Sequence, residues 1–476
     1  MNTYRIRNLI DGHHQGADDI ERRNPADPSD LVALLPSSGA QEVTAAVDAA
    51  AAAQPAWAAR PAPARGAVLT NAAEILRSRL DGVARDLVRE EGKTLAEAKG
   101  EVQRAVDVLR FFGAQGWSSN GDCLPSGQPD TLVHTRREPL GVVGLITPWN
   151  FPIAIPAWKA APALVSGNAV VLKPAELTPV SAHHLAAALT EAGLPPGVLN
   201  VVHGRGGTAG AALVADPRVA GVSFTGSTAV GTRIEQQMHA RRGRVQVEMG
   251  GKNALVVLDD ADVGAAARIA AAGGFGLTGQ ACTASSRVVC TPGVYDAFVS
   301  ALVEEAKRYV PADGLAEGTV MGPVADRAQL SGILDALEQA RRDGAAFATG
   351  GEAPEGLMLA PVVLTGLGPE SSAARDEIFG PVVCVLRADD LDEAIEVVED
   401  SRYGLAAAVC TRDLSAAMAF AGRVRAGVVK VNRPTTGLDL NVPFGGVGDS
   451  SSNTFREQGA SAVEFFTWSK SVYLGW

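Results

Sequence analysis

The chain has 476 residues, 46% of them apolar and 20% charged, an ordinary globular composition too long for one core, so two or three domains are expected. A net charge of −11, with Lys and Arg dispersed apart from Arg241, Arg242 and Arg244, argues against a nucleic-acid or anionic-membrane surface. The first residues carry no apolar signal region, apolar runs stop short of the ~18 residues that span a bilayer, and the five cysteines lack metal-ligand spacing; free thiols in a reducing cytoplasm and no metal are expected.

From Gln41 to Val108 apolar residues recur at intervals of three and four, a helical rhythm. Within it the Ala-rich stretch Val47–Ala53 reads as a short surface helix ending at Pro55, and Leu87–Gly92 as a helix closed by a glycine cap. Gly121 to Glu138, with Pro125, Gly127 and Pro129, turns extended and polar, an excursion away from the core. From Pro139 short apolar strands follow at Val142–Ile146, Ala169–Leu172, Leu199–Val202, Val219–Phe224 and Val245–Glu248, with helices such as Ser181–Ala192 and Thr228–Gln237 between them. A second run starts at Ala254–Leu258 and adds helices at Ala261–Ala272 and Tyr295–Arg308 and strands at Val362–Leu364, Val382–Leu386 and Val428–Val431. Such alternation implies right-handed crossovers and parallel sheets. Two α/β domains would meet near residue 250, with ligands in a crevice beyond strand C-termini.

The loops that follow these strands concentrate unusual residues. Thr147-Pro148-Trp149-Asn150 offers an amide donor on a rigid backbone; taken alone it reads better as a rigid turn than as an oxyanion site. Lys173 and Glu176, three apart at a strand-to-helix junction, suit ribose hydroxyls or a surface ion pair. Gly226 and Ser227 bring free backbone N–H groups to a helix start, a seat for pyrophosphate or a simple N-cap. Gly204–Ala209 only imitates a dinucleotide fingerprint, coming late in the sheet with no acidic residue after it. Of the cysteines only Cys282, in Gly279-Gln280-Ala281-Cys282, has small neighbours that would admit a substrate, whereas Cys290 and Cys384 read as core thiols. Glu248 ends a buried strand before a double glycine, where burial would raise its pKa toward that of a general base.

Together these segments resemble the aldehyde dehydrogenase superfamily over nearly the whole chain. The match runs in order through TPWNFP (147–152), KPAE (173–176), FTGST (224–228), EMGGK (248–252), GQAC (279–282), EIFGP (377–381), YGLAA (403–407) and PFGG (443–446). The resemblance implies an aldehyde dehydrogenase-like α/β fold, with two Rossmann-like domains and a small β oligomerisation arm. Residues 1–120 and 141–250 would bind the cofactor, 251–447 would be catalytic, and 121–140 with 456–476 would form the arm of a homodimer or homotetramer. It implies a Cys282 nucleophile, an oxyanion hole from Asn150 and the Cys282 amide, and a Glu248 that activates the deacylating water. Lys173 and Glu176 would hold the adenosine ribose, Ser227 with Gly226 the pyrophosphate, and Glu377 the nicotinamide ribose with Phe379 flanking the ring; Thr147 and Trp149 join the cofactor site. A thiol of pKa about 8.5 is mostly protonated at neutral pH, so local activation of Cys282 is expected.

The partner implied is a small aldehyde, with no nucleic acid and no membrane. Glu248 favours hydrolysis over transfer to coenzyme A, and the carboxylate of Glu176 favours NAD+, with NADP+ the alternative. Two departures from the family stand out. Phe275–Thr278 replaces an asparagine upstream of GQAC, and Val447–Ser451 replaces the usual segment after PFGG. The runs around Cys282, Arg433 and Arg456–Gly459 look most like α-ketoglutaric semialdehyde dehydrogenases. Arg433 would meet a substrate carboxylate at the mouth or pair with Asp439, and Trp158 would line the same tunnel. A simple aliphatic or aromatic aldehyde, an acylating coenzyme A-dependent enzyme, a γ-glutamyl phosphate reductase-like enzyme and an inactive binding protein are the alternatives.

Overall fold

Apolar strands with no polar face are stable only when covered on both sides, and here they form the centres of two seven-stranded sheets. The computed structural model describes residues 2–118 and 120–476. The first sheet runs Arg244–Glu248, Val219–Thr225, Val142–Ile146, Ala169–Lys173 and Leu199–Val201 in parallel, then adds Asn8–Ile10 and His13–Gln15 antiparallel. That terminal hairpin turns on Asp11-Gly12, both with positive φ (51° and 77°). The second sheet runs Ala346–Thr349, Val362–Thr365, Val382–Arg387, Ser285–Cys290, Asn253–Val257, Ala406–Cys410 and Val428–Val431, with only the first strand antiparallel.

The helical rhythm of the N-terminal third resolves into α1 (Ala40–Ala59), α2 (Ala62–Ser78), α3 (Leu80–Glu91) and α4 (Leu95–Gln115). Helix α3 ends on Gly92 at φ 105°, the glycine cap expected from the sequence. Helix α1 differs from expectation. It continues through Pro55 to Ala59; it is the expected surface helix in exposing Asp48, Ala51 and Ala52, while Val43, Ala46, Val47, Ala50 and Trp57 face the core and the Trp57 indole donates to Leu164 O at 2.9 Å. Burial of that face outweighs the one backbone bond proline removes. Helices α5 (Ala154–Val165), α6 (Pro179–Glu191), α7 (Ala211–Ala215) and α8 (Thr228–Ala240) follow strands of the first sheet, and α9 (Val263–Phe275) follows Asn253–Val257 of the second.

Thr131–Pro139 pairs antiparallel with Thr467–Gly475 and with Cys123–Leu124, so the polar excursion is a three-stranded ribbon. Its C-terminal strand begins at Thr467 and not at 456, because Glu457 is buried against Lys159, and Phe465 and Phe466 pack into the core.

The two sheets present opposite edges to the crevice. The first offers the loops after its C-terminal strand ends. The second offers the loops before its strands, Gly279–Ala284 ahead of Ser285 and Glu377–Pro381 ahead of Val382. The rule of ligands beyond C-terminal ends therefore describes only the first sheet.

Candidate active site

The cysteine loop is built on left-handed backbone. Leu277, Thr278 and Gly279 have φ of 54°, 55° and 65°, and a Cβ on Gly279 would overlap the Gly380 carbonyl. Two bonds offset the cost of non-glycine residues there: Leu277 N donates to Glu97 Oε1 at 2.8 Å and Thr278 Oγ1 to Gly322 O at 3.0 Å. Asn253 then locks the cysteine and the turn beyond it, its amide donating to Cys282 O (2.8 Å) and Ala284 O (2.9 Å) while its oxygen accepts from Ala406 N (3.0 Å). Gly251 must be small, since an added Cβ would sit 3.0 Å from Cys282 O. Cys282 alone of the five thiols lies partly open to a cavity of about 370 Å³, whose walls include Phe151, Trp158, Leu277, Leu438 and Phe444. Cys290, Cys384 and Cys410 are buried in strands of the second sheet, and Cys123 is exposed on the ribbon.

Asn150 reaches the same loop from the first sheet, donating its amide to Gln280 O at 2.9 Å. Its own carbonyl accepts from Lys93 Nζ at 2.8 Å. Lys93 is buried and pairs with Glu101 Oε2 at 2.6 Å, and Glu101 Oε1 accepts from Ile153 N (3.0 Å) and Ala154 N (3.2 Å) where α5 begins. One ion pair thus fixes both ends of the Asn150 turn. Sequence reasoning missed it; a lysine just behind the Gly92 cap was the only available signal.

Glu248 is buried at the end of its strand, with Oε1 accepting from Ser451 Oγ at 3.1 Å and Oε2 without a hydrogen-bond partner among the described residues. The segment that departs from the family pattern is what holds it. Met249 N donates to Ser450 O (2.9 Å) and Ser452 N to Val247 O (3.0 Å), so residues 450–452 bond to the chain on either side of Glu248. Lys159 pairs with Glu457 and also donates to Ser223 Oγ at 2.8 Å, and the Trp158 indole donates to Glu457 Oε2 at 2.8 Å. Burial, followed by the Glu457 charge, pushes the Glu248 carboxyl well above its ordinary range; Lys159 and Ser451 oppose that rise.

The Cys282 thiol departs from expectation. Burial, then the charges of Glu377, Glu248 and Glu457, push it up to about 12, the opposite of the activation expected from the sequence. The physical reason is burial of the thiol first, reinforced by the carboxylates of Glu377, Glu248 and Glu457, all of which disfavour a thiolate.

Across the cleft Lys173 is buried and meets Glu176 at 3.2 Å. Ser227 is exposed at the start of α8, and its hydroxyl makes no cap bond, leaving the helix N-terminus open. Gly226 N donates to Glu248 O at 3.1 Å and Thr147 N to Lys173 O at 3.2 Å, tying these loops together. Glu377 Oε1 accepts from Gly251 N at 3.0 Å, and burial raises its carboxyl to about 6. A Cβ on Gly250 would overlap that carboxylate. Trp149 and Phe379 meet edge to face at 5.6 Å and 89°. The buried hydroxyls of Thr147 and Thr225 lack partners among the described residues, and with the open helix N-terminus they suit a ligand bearing phosphate and ribose groups. Among the described residues no cluster of His, Cys, Asp or Glu could hold a metal ion, and no helix is long and apolar enough to cross a membrane.

Arg433 does not reach the cavity. It is exposed, and among the described residues it makes no ion pair with Asp439 or any other carboxylate. Asn432 turns the chain at φ 53° and is bound to Thr411, so the next inward residue is Thr435, which donates to Thr283 O at 2.6 Å beside the cysteine loop. Trp158 lines the cavity wall.

Residues 13–472 match the aldehyde dehydrogenase family. The chain is 44% identical to the alpha-ketoglutarate semialdehyde dehydrogenase of Haloferax volcanii, covering 98% of each chain. It is 42% identical to the alpha-ketoglutaric semialdehyde dehydrogenase of Bacillus subtilis, over 100% of this chain and 98% of that one. A solved NAD-dependent aldehyde dehydrogenase from Sinorhizobium meliloti superposes with a TM-score of 0.96 at 34% identity, covering 99% of this chain and 95% of its own.

Proposed function

The chain belongs to the aldehyde dehydrogenase family, and on that premise we propose that it oxidises a short aldehyde carrying a carboxylate, of the α-ketoglutaric semialdehyde type, to the acid by way of a thioester on Cys282. Enzymes of this family oxidise aldehydes with NAD+ or NADP+, and the nicotinamide, when bound, supplies the hydride acceptor. Glu377, Phe379, Trp149 and Thr147 would hold the nicotinamide end, Gly226 and Ser227 the pyrophosphate, and Lys173 with Glu176 the adenosine ribose. The Glu176 carboxylate favours a free 2′-hydroxyl there, hence NAD+.

Cys282 Sγ adds to the carbonyl carbon, and the oxygen that becomes negative is met by the Asn150 amide and the Cys282 N–H. Loss of hydride from that carbon leaves an acyl group on Sγ. Glu248, whose raised pKa makes it a stronger base than an exposed carboxylate, takes a proton from the water that cleaves the thioester. The observation that carries this reading is a single thiol open to the cavity, with the unpartnered oxygen of Glu248 close enough for its charge to act on that thiol.

In this reading residues 1–120 and 141–250 bind the cofactor and 251–447 carry the nucleophile. The ribbon joins copies into a homodimer or homotetramer in the cytoplasm; its exposed Leu132, Trp468, Tyr473 and Leu474 support an association face. The test supplies NAD+ and succinic semialdehyde with and without coenzyme A. One free acid per NADH, indifferent to coenzyme A, is expected; an acyl-coenzyme A product would reject hydrolysis.

A further inference from the structure

The cavity over Cys282 is largely apolar, yet it contains one arginine. Arg104 stands on α4 on the same face as Glu97, Gly100 and Glu101, all of which line the cavity. Both glutamates are already engaged: Glu97 accepts from Thr94 N at 2.9 Å and Leu277 N at 2.8 Å, and Glu101 pairs with Lys93. Gly100 leaves room beside Arg104, since a Cβ there would touch nothing within 4 Å. Among the described residues the Arg104 guanidinium has no carboxylate partner. It donates instead to Asp439 O at 3.2 Å and to the side-chain oxygen of Gln458.

Gln458 supplies the second, independent observation. It also lines the cavity, is only 1% exposed, and holds a left-handed backbone at φ 59°. With Oε1 taken by Arg104, its Nε2 donor is buried without a partner among the described residues. Buried donors are nearly always satisfied, so an acceptor is missing here. Two adjacent donors, one cationic and one orphaned, at an apolar cavity that also holds the nucleophile, call for an anion with two oxygens.

We propose that Arg104 and Gln458 form the clamp that selects the carboxylate at the far end of the aldehyde substrate. The carboxylate accepts from the guanidinium and from Gln458 Nε2, and the chain between it and the aldehyde lies against Phe151, Trp158 and Phe444. The clamp rests on the acidic-aldehyde reading above and names the residues that read the charge.

The test compares kcat/KM for succinic semialdehyde with that for butanal, a neutral aldehyde of equal length, in the full enzyme and in Arg104→Met, Arg104→Lys and Gln458→Leu. NAD+ binding, followed by fluorescence quenching, reports folding of each variant. The acid-to-neutral ratio is expected to fall about 10- to 100-fold in Arg104→Met, chiefly through KM, and several-fold in Gln458→Leu, with partial recovery in Arg104→Lys. An unchanged ratio in Arg104→Met, or an equal loss on both aldehydes, overturns the clamp while leaving the acidic substrate in place. A wild-type enzyme with no preference for the acidic aldehyde overturns clamp and substrate class together, while NADH formation from both aldehydes would leave the family activity standing.

Discussion

Ser451 Oγ donates to Glu248 Oε1 at 3.1 Å, while Glu248 Oε2, equally enclosed, accepts from no group among the described residues. One oxygen is therefore anchored and the other is free to take a proton from water. The anchor comes from a segment that the family pattern left unexplained.

Replacing that anchor gives the first expectation. The Ser451 bond favours the charged carboxylate, so Ser451→Ala raises the Glu248 carboxyl further. A base acts only above its pKa. The acidic limb of the pH profile for kcat should therefore move to higher pH, with a loss of rate on its acidic side. A stopped-flow and steady-state pH series would show it, and an unmoved limb would deny Ser451 this role.

Lys93 and Glu101 set the Asn150 turn without touching substrate. Lys93→Met leaves the Glu101 charge buried and alone and should cost about 3–5 kcal/mol in denaturant unfolding. Adding Glu101→Gln should restore much of that stability. The hydride burst should stay slow in the double variant, because the Asn150 carbonyl still lacks its donor. Recovery of both stability and burst would show that the pair only supports the fold.

Much of this site could be read from linear order, because its loops adjoin buried strands and carry their chemistry in short runs. Cys282, Glu248 and Asn150 stood out for that reason. What was not legible came from distant segments meeting: Lys93 under Asn150, Ser451 on Glu248, and Arg104 beside Gln458, separated by 354 positions. Arg433 was misread because the positive-φ turn at Asn432 decides which neighbouring side chain faces inward, and no periodicity announces such a turn. The terminal hairpin at residues 8–15 was missed because its strands are three residues each. The raised thiol of Cys282 was missed because its causes, burial first and then carboxylates from three distant segments, arise only when the chain folds.

Arg433→Ala tests that correction. With the side chain exposed and off the cavity, the ratio of acidic to neutral aldehyde turnover should stay within about twofold of wild type, since isolated surface charges contribute little. A large fall would return Arg433 to the substrate mouth.

His203 is buried with an unpartnered ring nitrogen, and burial, then the charges of His183 and Lys173, push it from 6.5 down to about 3. The unfolded chain binds a proton below pH 6.5 that the folded chain refuses until about pH 3, so stability falls as pH drops through this window. The slope reaches about 1.4 kcal/mol per pH unit for this group. His203→Gln should flatten the fall of melting temperature between neutral and acid pH; an unchanged slope would assign the acid sensitivity elsewhere.

The covalent step itself can be caught. Glu248→Gln, mixed with NAD+ and succinic semialdehyde, quenched in acid and digested, should yield the peptide containing Cys282 heavier by the acyl group, after a single burst of NADH. A burst with that peptide unmodified, or full turnover by Cys282→Ala, would contradict a thioester at Cys282.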